Sequence, residues 1–116
     1  MIWKIQKKDI KSLFHRPPVL YLEYNIKPFF EPPRSIHFPY EMVYDTDTTL
    51  DFVTEISVYA FIHELAHYDQ KLNKIKGSKI ELETDAWSRS LNIGQKLGFF
   101  NLNLINKLNM ENIKLC

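Results

Sequence analysis

The sequence predicts an α+β protein, with a small antiparallel or mixed sheet from the N-terminal third packed on a long central helix, a second helix and a short C-terminal helix. All six prolines lie in the first 39 residues, whereas residues 49–74 contain neither proline nor glycine. Proline is excluded from helix interiors and central strand positions, so the first third should form strands and turns. A length of 116 residues fits one domain, which we divide into strands and turns (1–47), a central helix (48–76), a second helix (79–98) and a C-terminal segment (99–116).

The N-terminal third is expected to contain one helix and two strands. Residues 4–15 predict a short amphipathic helix, which must end before the following proline pair because proline disfavours helical geometry in the residue before it. Residues 19–26 are rich in β-branched and aromatic side chains and predict a strand. Further prolines predict a turn, and residues 35–38 a second, short strand. The resulting hairpin would leave an edge that can pair with another chain.

The long central helix is the strongest secondary-structure prediction. Asp47 or Thr48 can cap its start, and Gly77 is the expected stop. Residues 56–66 are apolar nearly all round, so this helix should run through the middle of the fold.

Two shorter helices should follow the central one. The first is expected from residue 79 to residue 97, with Gly98 as its C-terminal cap. Asn101 should open the last helical segment, which carries apolar residues along one side.

Composition excludes several functional classes. The chain carries 15 Lys and Arg against 14 Asp and Glu, and this balance argues against a nucleic-acid-binding protein. A single cysteine, Cys116, excludes a disulfide framework and a cysteine-based zinc knuckle. The sequence contains no apolar run of about 18 residues and does not start like a secretory signal, so we expect a cytoplasmic protein without a membrane partner.

The segment His63-Glu64-Leu65-Ala66-His67 (HELAH) carries the chemistry of this sequence. Residues i and i+4 lie on one face of a helix, so both imidazoles can reach one zinc ion at about 2.0–2.1 Å. Glu64 lies about 100° round the helix, where it can reach a water molecule on that ion rather than the ion itself. This is the arrangement required of a general base in metal-assisted hydrolysis.

The third zinc ligand should come from the acidic start of the second helix. Glu81 and Asp85 are four residues apart and share a face, whereas Glu83 should point elsewhere. One of the pair can bind zinc while the other accepts the N–H of a ligand histidine. Glu83 remains a competitor for the ligand role.

HELAH followed by Glu81-x-x-x-Asp85 resembles the gluzincin group of zinc metallopeptidases, whose pattern is HExxH followed later by ExxxD. The chain is most similar in size to the minigluzincins, small proteins that resemble the catalytic cores of certain integral-membrane peptidases. The match covers residues 63–67 and 81–85, and a small sheet packed on helices also suits this family. The resemblance implies one zinc ion per chain, with the ligands His63, His67 and Glu81, the general base Glu64 and the supporting residue Asp85.

The expected activity is hydrolysis of peptide bonds in flexible or unfolded polypeptides. Glu64 would take a proton from the attacking water and pass it to the leaving amine. Substrate should add as an extra strand to the edge around residues 35–38. A further donor is needed for the developing oxyanion, and the candidates are His37, Tyr40, Tyr59 and Tyr68.

The C-terminal segment allows self-inhibition. A thiolate or carboxylate at Cys116 would be a good fourth zinc ligand, and latency would be in keeping with minigluzincins. The apolar residues 102–115 could lie in a groove or support self-association. Two alternatives stand beside a general peptidase, namely a non-catalytic zinc-binding regulatory module and a regulatory protease specific for one partner protein.

Overall fold

The computed structural model describes the backbone of residues 3–114 and the side chains of residues 3–111. This part of the chain contains four α-helices and two three-stranded sheets, which confirms the predicted α+β class. The strands are β1 (Trp3–Gln6), β2 (Val19–Glu23), β3 (Phe29–Glu31), β4 (Ser35–Pro39), β5 (Val43–Asp45) and β6 (Thr49–Phe52). The helices are α1 (Lys7–Leu13), α2 (Glu55–Leu72), α3 (Lys79–Leu97) and α4 (Leu102–Lys114).

The first sheet has the strand order β1-β6-β5, with both pairs antiparallel. Two strands of this sheet, β1 and β6, differ from the helices predicted for them. Residues 3–6 form a strand rather than the start of the helix expected at 4–15, because Ile5 is buried opposite Leu50. The central helix does not begin at residue 48, because Leu50 and Phe52 are buried in β6. Pairing with neighbouring strands overrides the local helix preference of both segments.

The second sheet has the order β2-β4-β3, in which β2 is parallel and β3 antiparallel to β4. The predicted hairpin is therefore wrong, because the segment expected to be a turn contains the strand β3. The strand expected at the edge, β4, lies in the middle of the sheet, and β3 forms an edge. Ile36 and Phe38 of β4 are fully buried and face the core.

Helix α2 runs through the centre of the fold, as its nearly all-apolar sequence predicts. Ile62, Leu65 and Ala66 have no solvent exposure. The side chain of Thr54 caps the helix by accepting from the backbone N–H of Ser57 at 3.1 Å. The helix ends at Leu72, five residues before the expected stop at Gly77.

Helix α3 begins and ends as predicted, and α4 begins close to its predicted start. Gly98 follows α3 with a φ of 87°, a left-handed conformation that favours glycine. Within α3, a Cβ at Gly94 would lie 2.7 Å from the carbonyl oxygen of Phe99, so this glycine allows the chain to fold back closely. Asn101 opens α4 by accepting from the backbone N–H of Leu104 at 3.1 Å.

Among residues 3–114, none of the helices has both the length and the apolar character required to cross a membrane.

Candidate metal centre

Helix α2 brings the two histidines of HELAH together. His63 and His67 lie one turn apart on the same face, and their Nε2 atoms are 3.1 Å from each other. Both side chains are largely buried, with 11% and 18% exposure. The predicted placement of this pair is confirmed.

The carboxylate that joins them belongs to Glu83 on α3. One of its oxygens lies 3.2 Å from His63 Nε2 and the other 3.2 Å from His67 Nε2. Its side chain is only 15% exposed. One ligand atom from each of these three residues lies within 4.8 Å of the others, so the group could hold a metal ion. We call His63, His67 and Glu83 the metal group.

The structure corrects the assignment of Glu81 as third ligand. The Glu81 carboxylate accepts from the backbone N–H of Ser78 at 3.1 Å, and the Ser78 hydroxyl accepts from the Glu81 N–H at 3.2 Å. This capping box fixes the start of α3 and keeps Glu81 at the surface. Hydrogen bonding of the Glu81 carboxylate to the backbone and side chain of Ser78 lowers the pKa of Glu81.

The electrostatics of the metal group favour a bound cation. The Nδ1–H of His67 donates to the Gln70 side-chain oxygen at 2.9 Å, so in neutral His67 the Nε2 atom presents a lone pair towards Glu83. Close contact with His63 and His67 holds the pKa of Glu83 far below its ordinary value, because a protonated imidazole favours the carboxylate form. Burial lowers the pKa of His67, but Glu83, Glu64 and Gln70 outweigh burial and raise it overall. Without a metal ion, a proton on His67 therefore offsets the negative charge of the carboxylate.

Gln70 connects His67 to α3 and was missed in the sequence. Its Nε2 donates to Asp85 Oδ2 at 2.8 Å, and Arg89 Nε donates to the same oxygen at 2.6 Å. Asp85 thus supports His67 through Gln70, and does not accept the imidazole N–H as predicted. Burial raises the pKa of Asp85, but the bonds from Arg89 and Gln70 outweigh it and the pKa is lowered. Gln70 lies three residues after His67 on the same helix face, a spacing that could have identified it.

Glu64 lies beside the metal group on α2, directly after His63 in the chain. It is 8% exposed and accepts a backbone hydrogen bond from Phe30 of strand β3. Burial is the largest effect and raises the pKa of Glu64 above its ordinary value, although the histidines oppose it. A carboxylate with a raised pKa is a stronger base than an exposed one.

A cavity of about 530 Å³ opens at the metal group. Its wall on one side is strand β3, including Phe29 and Phe30, and on the other side helices α3 and α4. This volume falls within the range of about 300–1,000 Å³ that is typical of ligand-binding pockets. His63, Glu64, His67 and Glu83 all line it.

Of the predicted oxyanion donors, the structure brings only Tyr59 to this cavity. Its hydroxyl accepts from the backbone N–H of Asn101 at 2.8 Å and retains its own proton for donation. His37 follows the buried Ile36 in β4, so its side chain points to the opposite, outer face of the sheet. There its two ring nitrogens contact the carboxylates of Glu23 and Glu31.

The two remaining tyrosine candidates lie elsewhere. The Tyr68 hydroxyl donates to the Arg16 carbonyl in the core, and Tyr40 stacks on Tyr24 at the surface. Cys116, the predicted inhibitory contact, lies outside the described residues.

Comparison with known proteins finds no relative, because no family model, curated protein or solved structure matches the chain. The resemblance to gluzincins therefore stays a prediction. Its HExxH part coincides with the metal group, whereas its ExxxD part does not, because the residue four positions after Glu83 is Trp87.

Proposed function

We propose that this protein is a zinc-dependent metallopeptidase that hydrolyses peptide bonds of flexible or unfolded polypeptides, with Glu64 as general base. The observation that carries the proposal is the position of a buried carboxylate, Glu64, between the metal group and the free edge of a sheet. A metal site, a base and a surface for extended backbone then lie around one cavity.

The donor set and its spacing suit zinc. In a tetrahedral site with Zn–N bonds of about 2.0–2.1 Å, two ligand nitrogens lie about 3.3 Å apart. The 3.1 Å between the Nε2 atoms of His63 and His67 is close to that spacing. Two imidazoles with one carboxylate is also the composition of known catalytic zinc sites, whereas structural zinc sites are closed by four protein ligands. The cavity supports a catalytic site, because it leaves room beside the three ligands.

Each residue then has a defined part in hydrolysis. Zinc held by the metal group would supply a Lewis acid and lower the pKa of a bound water molecule to about 7. Glu64 takes the proton of the attacking water and delivers it to the leaving nitrogen. Its burial and raised pKa suit both transfers, because the carboxylate must first bind the proton and then release it. Among the predicted donors for the developing oxyanion, Tyr59 is the one whose side chain lines the same cavity.

Strand β3 is the surface on which we expect the substrate backbone to lie. It is an edge strand among the described residues, and Phe30 contacts Glu64 through its backbone. An extended peptide can add to such an edge through main-chain hydrogen bonds, which require flexible substrate but little sequence specificity. The edge around residues 35–38, expected from the sequence, is replaced in this role because β4 is paired on both sides.

Hydrolysis of casein by the zinc-loaded protein tests this proposal. We expect Glu64→Gln to retain one zinc ion per chain and to lower the cleavage rate by at least about 100-fold, since general-base catalysis typically contributes 100- to 10,000-fold. The matched control is Glu111→Gln, because Glu111 is exposed on α4. Equal cleavage by the parent and Glu64→Gln would refute the role of Glu64. Zinc binding without cleavage by any form would favour the non-catalytic module or the partner-specific protease.

A further inference from the structure

Two polar side chains are buried at the α4 end of the cavity. Ser90 and Asn109 line the cavity and are 3% and 4% exposed. Among the described residues, neither Ser90 Oγ nor Asn109 Oδ1 has a hydrogen-bond partner. Buried polar atoms in native proteins are nearly always paired, and leaving them unpaired is costly. This pair therefore indicates a ligand that supplies the missing hydrogen bonds.

The position of the pair relative to the metal group is set by helix geometry. Ser90 follows Glu83 by seven residues, so both lie on the same face of α3, about 10.5 Å apart along the helix axis. Asn109 Nδ2 donates to the Ile105 carbonyl at 2.8 Å, which fixes the amide and leaves Oδ1 as an acceptor. The apolar residues Ile105 and Leu108 of α4 line the same cavity.

The chemistry of this end of the cavity defines what it can bind. Asn109 Oδ1 only accepts, whereas the Ser90 hydroxyl donates or accepts. An apolar side chain of a bound ligand would leave the Ser90 and Asn109 oxygens unpaired. A charged one would be buried without a counter-ion, because Ser90, Asn109, Ile105 and Leu108 are all uncharged. A neutral side chain with a hydrogen-bond donor avoids both costs.

We infer that the α4 end of the cavity is a specificity subsite for a neutral, hydrogen-bonding side chain of the peptide substrate, with Ser90 and Asn109 as its recognition residues. Asparagine, glutamine, serine and threonine are the smaller, non-aromatic residues of this class. The inference rests on the proposed function, because the substrate backbone must lie along β3 for one side chain to enter. Sites built to hydrogen-bond a group discriminate strongly against analogues that lack it.

Two short peptide hydroxamates that differ in one side chain test the subsite. One carries asparagine next to the zinc-binding hydroxamate and the other carries leucine, which has nearly the same shape. Their dissociation constants are measured by calorimetry with the zinc-loaded parent, Ser90→Ala and Asn109→Leu. The matched controls are Ser88→Ala and Asn103→Leu, because Ser88 and Asn103 are exposed on the same two helices.

We expect the asparagine compound to bind the parent at least tenfold more tightly than the leucine compound. This ratio should fall below threefold in Ser90→Ala and Asn109→Leu and stay unchanged in the two controls. Asn109→Leu should also melt no lower than the parent without ligand, since it removes a buried unpaired oxygen. Equal affinities for the parent, tighter binding of the leucine compound, or no binding of either would overturn the subsite. So would an unchanged ratio in Ser90→Ala, which is the variant least able to disturb the fold.

The hydrolysis of casein separates this inference from the proposed function. Cleavage of casein together with equal affinities would leave the peptidase standing and remove the subsite. A strong preference for asparagine without cleavage would keep the subsite as a binding site and refute the peptidase.

Discussion

The choice between Glu83 and Glu81 as third ligand can be decided by one pair of substitutions. Glu83→Gln removes the charge that lies 3.2 Å from both ligand histidines, while Glu81→Gln alters only the cap at the start of α3. The two changes are chemically identical and lie within one turn of the same helix. They therefore separate a metal ligand from a nearby acidic residue.

The magnitude follows from the free energy of zinc binding. Zinc binds small four-ligand peptide sites with about 10–16 kcal/mol, which averages about 2.5–4 kcal/mol per ligand. At about 1.4 kcal/mol per tenfold, loss of one ligand weakens binding by about 60- to 700-fold. Glutamine keeps one neutral oxygen in place, so we expect Glu83→Gln to fall near the lower end. Glu81→Gln shares no partner with the metal group and should change zinc affinity by no more than about twofold.

The assay is competition for zinc with a chelator of known affinity, monitored by the absorbance of the chelator. Circular dichroism of each variant establishes that the helices remain formed. A loss of affinity in Glu81→Gln that equals or exceeds the loss in Glu83→Gln would refute the geometry of the metal group.

Three further predictions concern the surroundings of the site. Gln70→Leu should weaken zinc binding by about 10- to 100-fold, because loss of a residue that supports a metal ligand typically has this effect. The control Gln95→Leu changes an exposed glutamine and should leave zinc affinity unchanged. Equal affinities for the two variants would contradict the role of Gln70. Burial lowers the pKa of His67, but Glu83 raises it overall, so the protonated form stabilises the metal-free fold. This contribution is complete below the ordinary pKa of 6.5 and is lost as pH rises through the raised value. The melting temperature of the metal-free protein should fall over that interval, and less so in His67→Gln; an identical fall in both would be inconsistent with this linkage. Leu65→Ala should lower the free energy of unfolding by about 2–5 kcal/mol in urea, against about 0.5 kcal/mol for Ile56→Ala, which is half exposed; similar losses would argue against a core position for Leu65.

The part of the site that the sequence predicts correctly depends on local geometry alone. His63 and His67 share a face because they are four residues apart on a helix, whatever else the chain does. The α+β class and the ends of α3 are similarly local, because they follow from the distribution of proline and from the glycine at position 98. The third ligand requires the rotation of α3 about its own axis, and that rotation is set by packing.

A signal for this rotation was nevertheless present. Ala86, Ile93 and Gly94 are buried and mark one face of α3. Glu83 lies three residues before Ala86, on that face, whereas Glu81 begins the helix at its capping box. The spacing of the acidic residues led to Glu81, whereas the buried face of α3 contains Glu83.

The strands were predicted less well because their evidence is not local. Residues 49–52 contain nothing that excludes a helix, and they become a strand because β1 and β5 pair with them. Likewise, β3 has only three residues between prolines, too few for a periodic pattern. The placement of the edge strand beside Glu64, on which the proposed substrate site depends, could come only from the tertiary structure.

Contacts between α2 and α3 that use no ligand atom of the metal group hold the two helices of that group together. Arg89 bridges Asp69 of α2 and Asp85 of α3 at 2.7 and 2.6 Å, and Gln70 adds a second link between the helices. None of these contacts involves a ligand atom for the metal, and the face of α2 behind the site is anchored by Leu65 in the core. Small zinc domains differ in that metal binding supplies their folding free energy. If the proposed function holds, these contacts would keep the ligands in place without the metal ion, and the free energy of metal binding would not be needed to fold the chain.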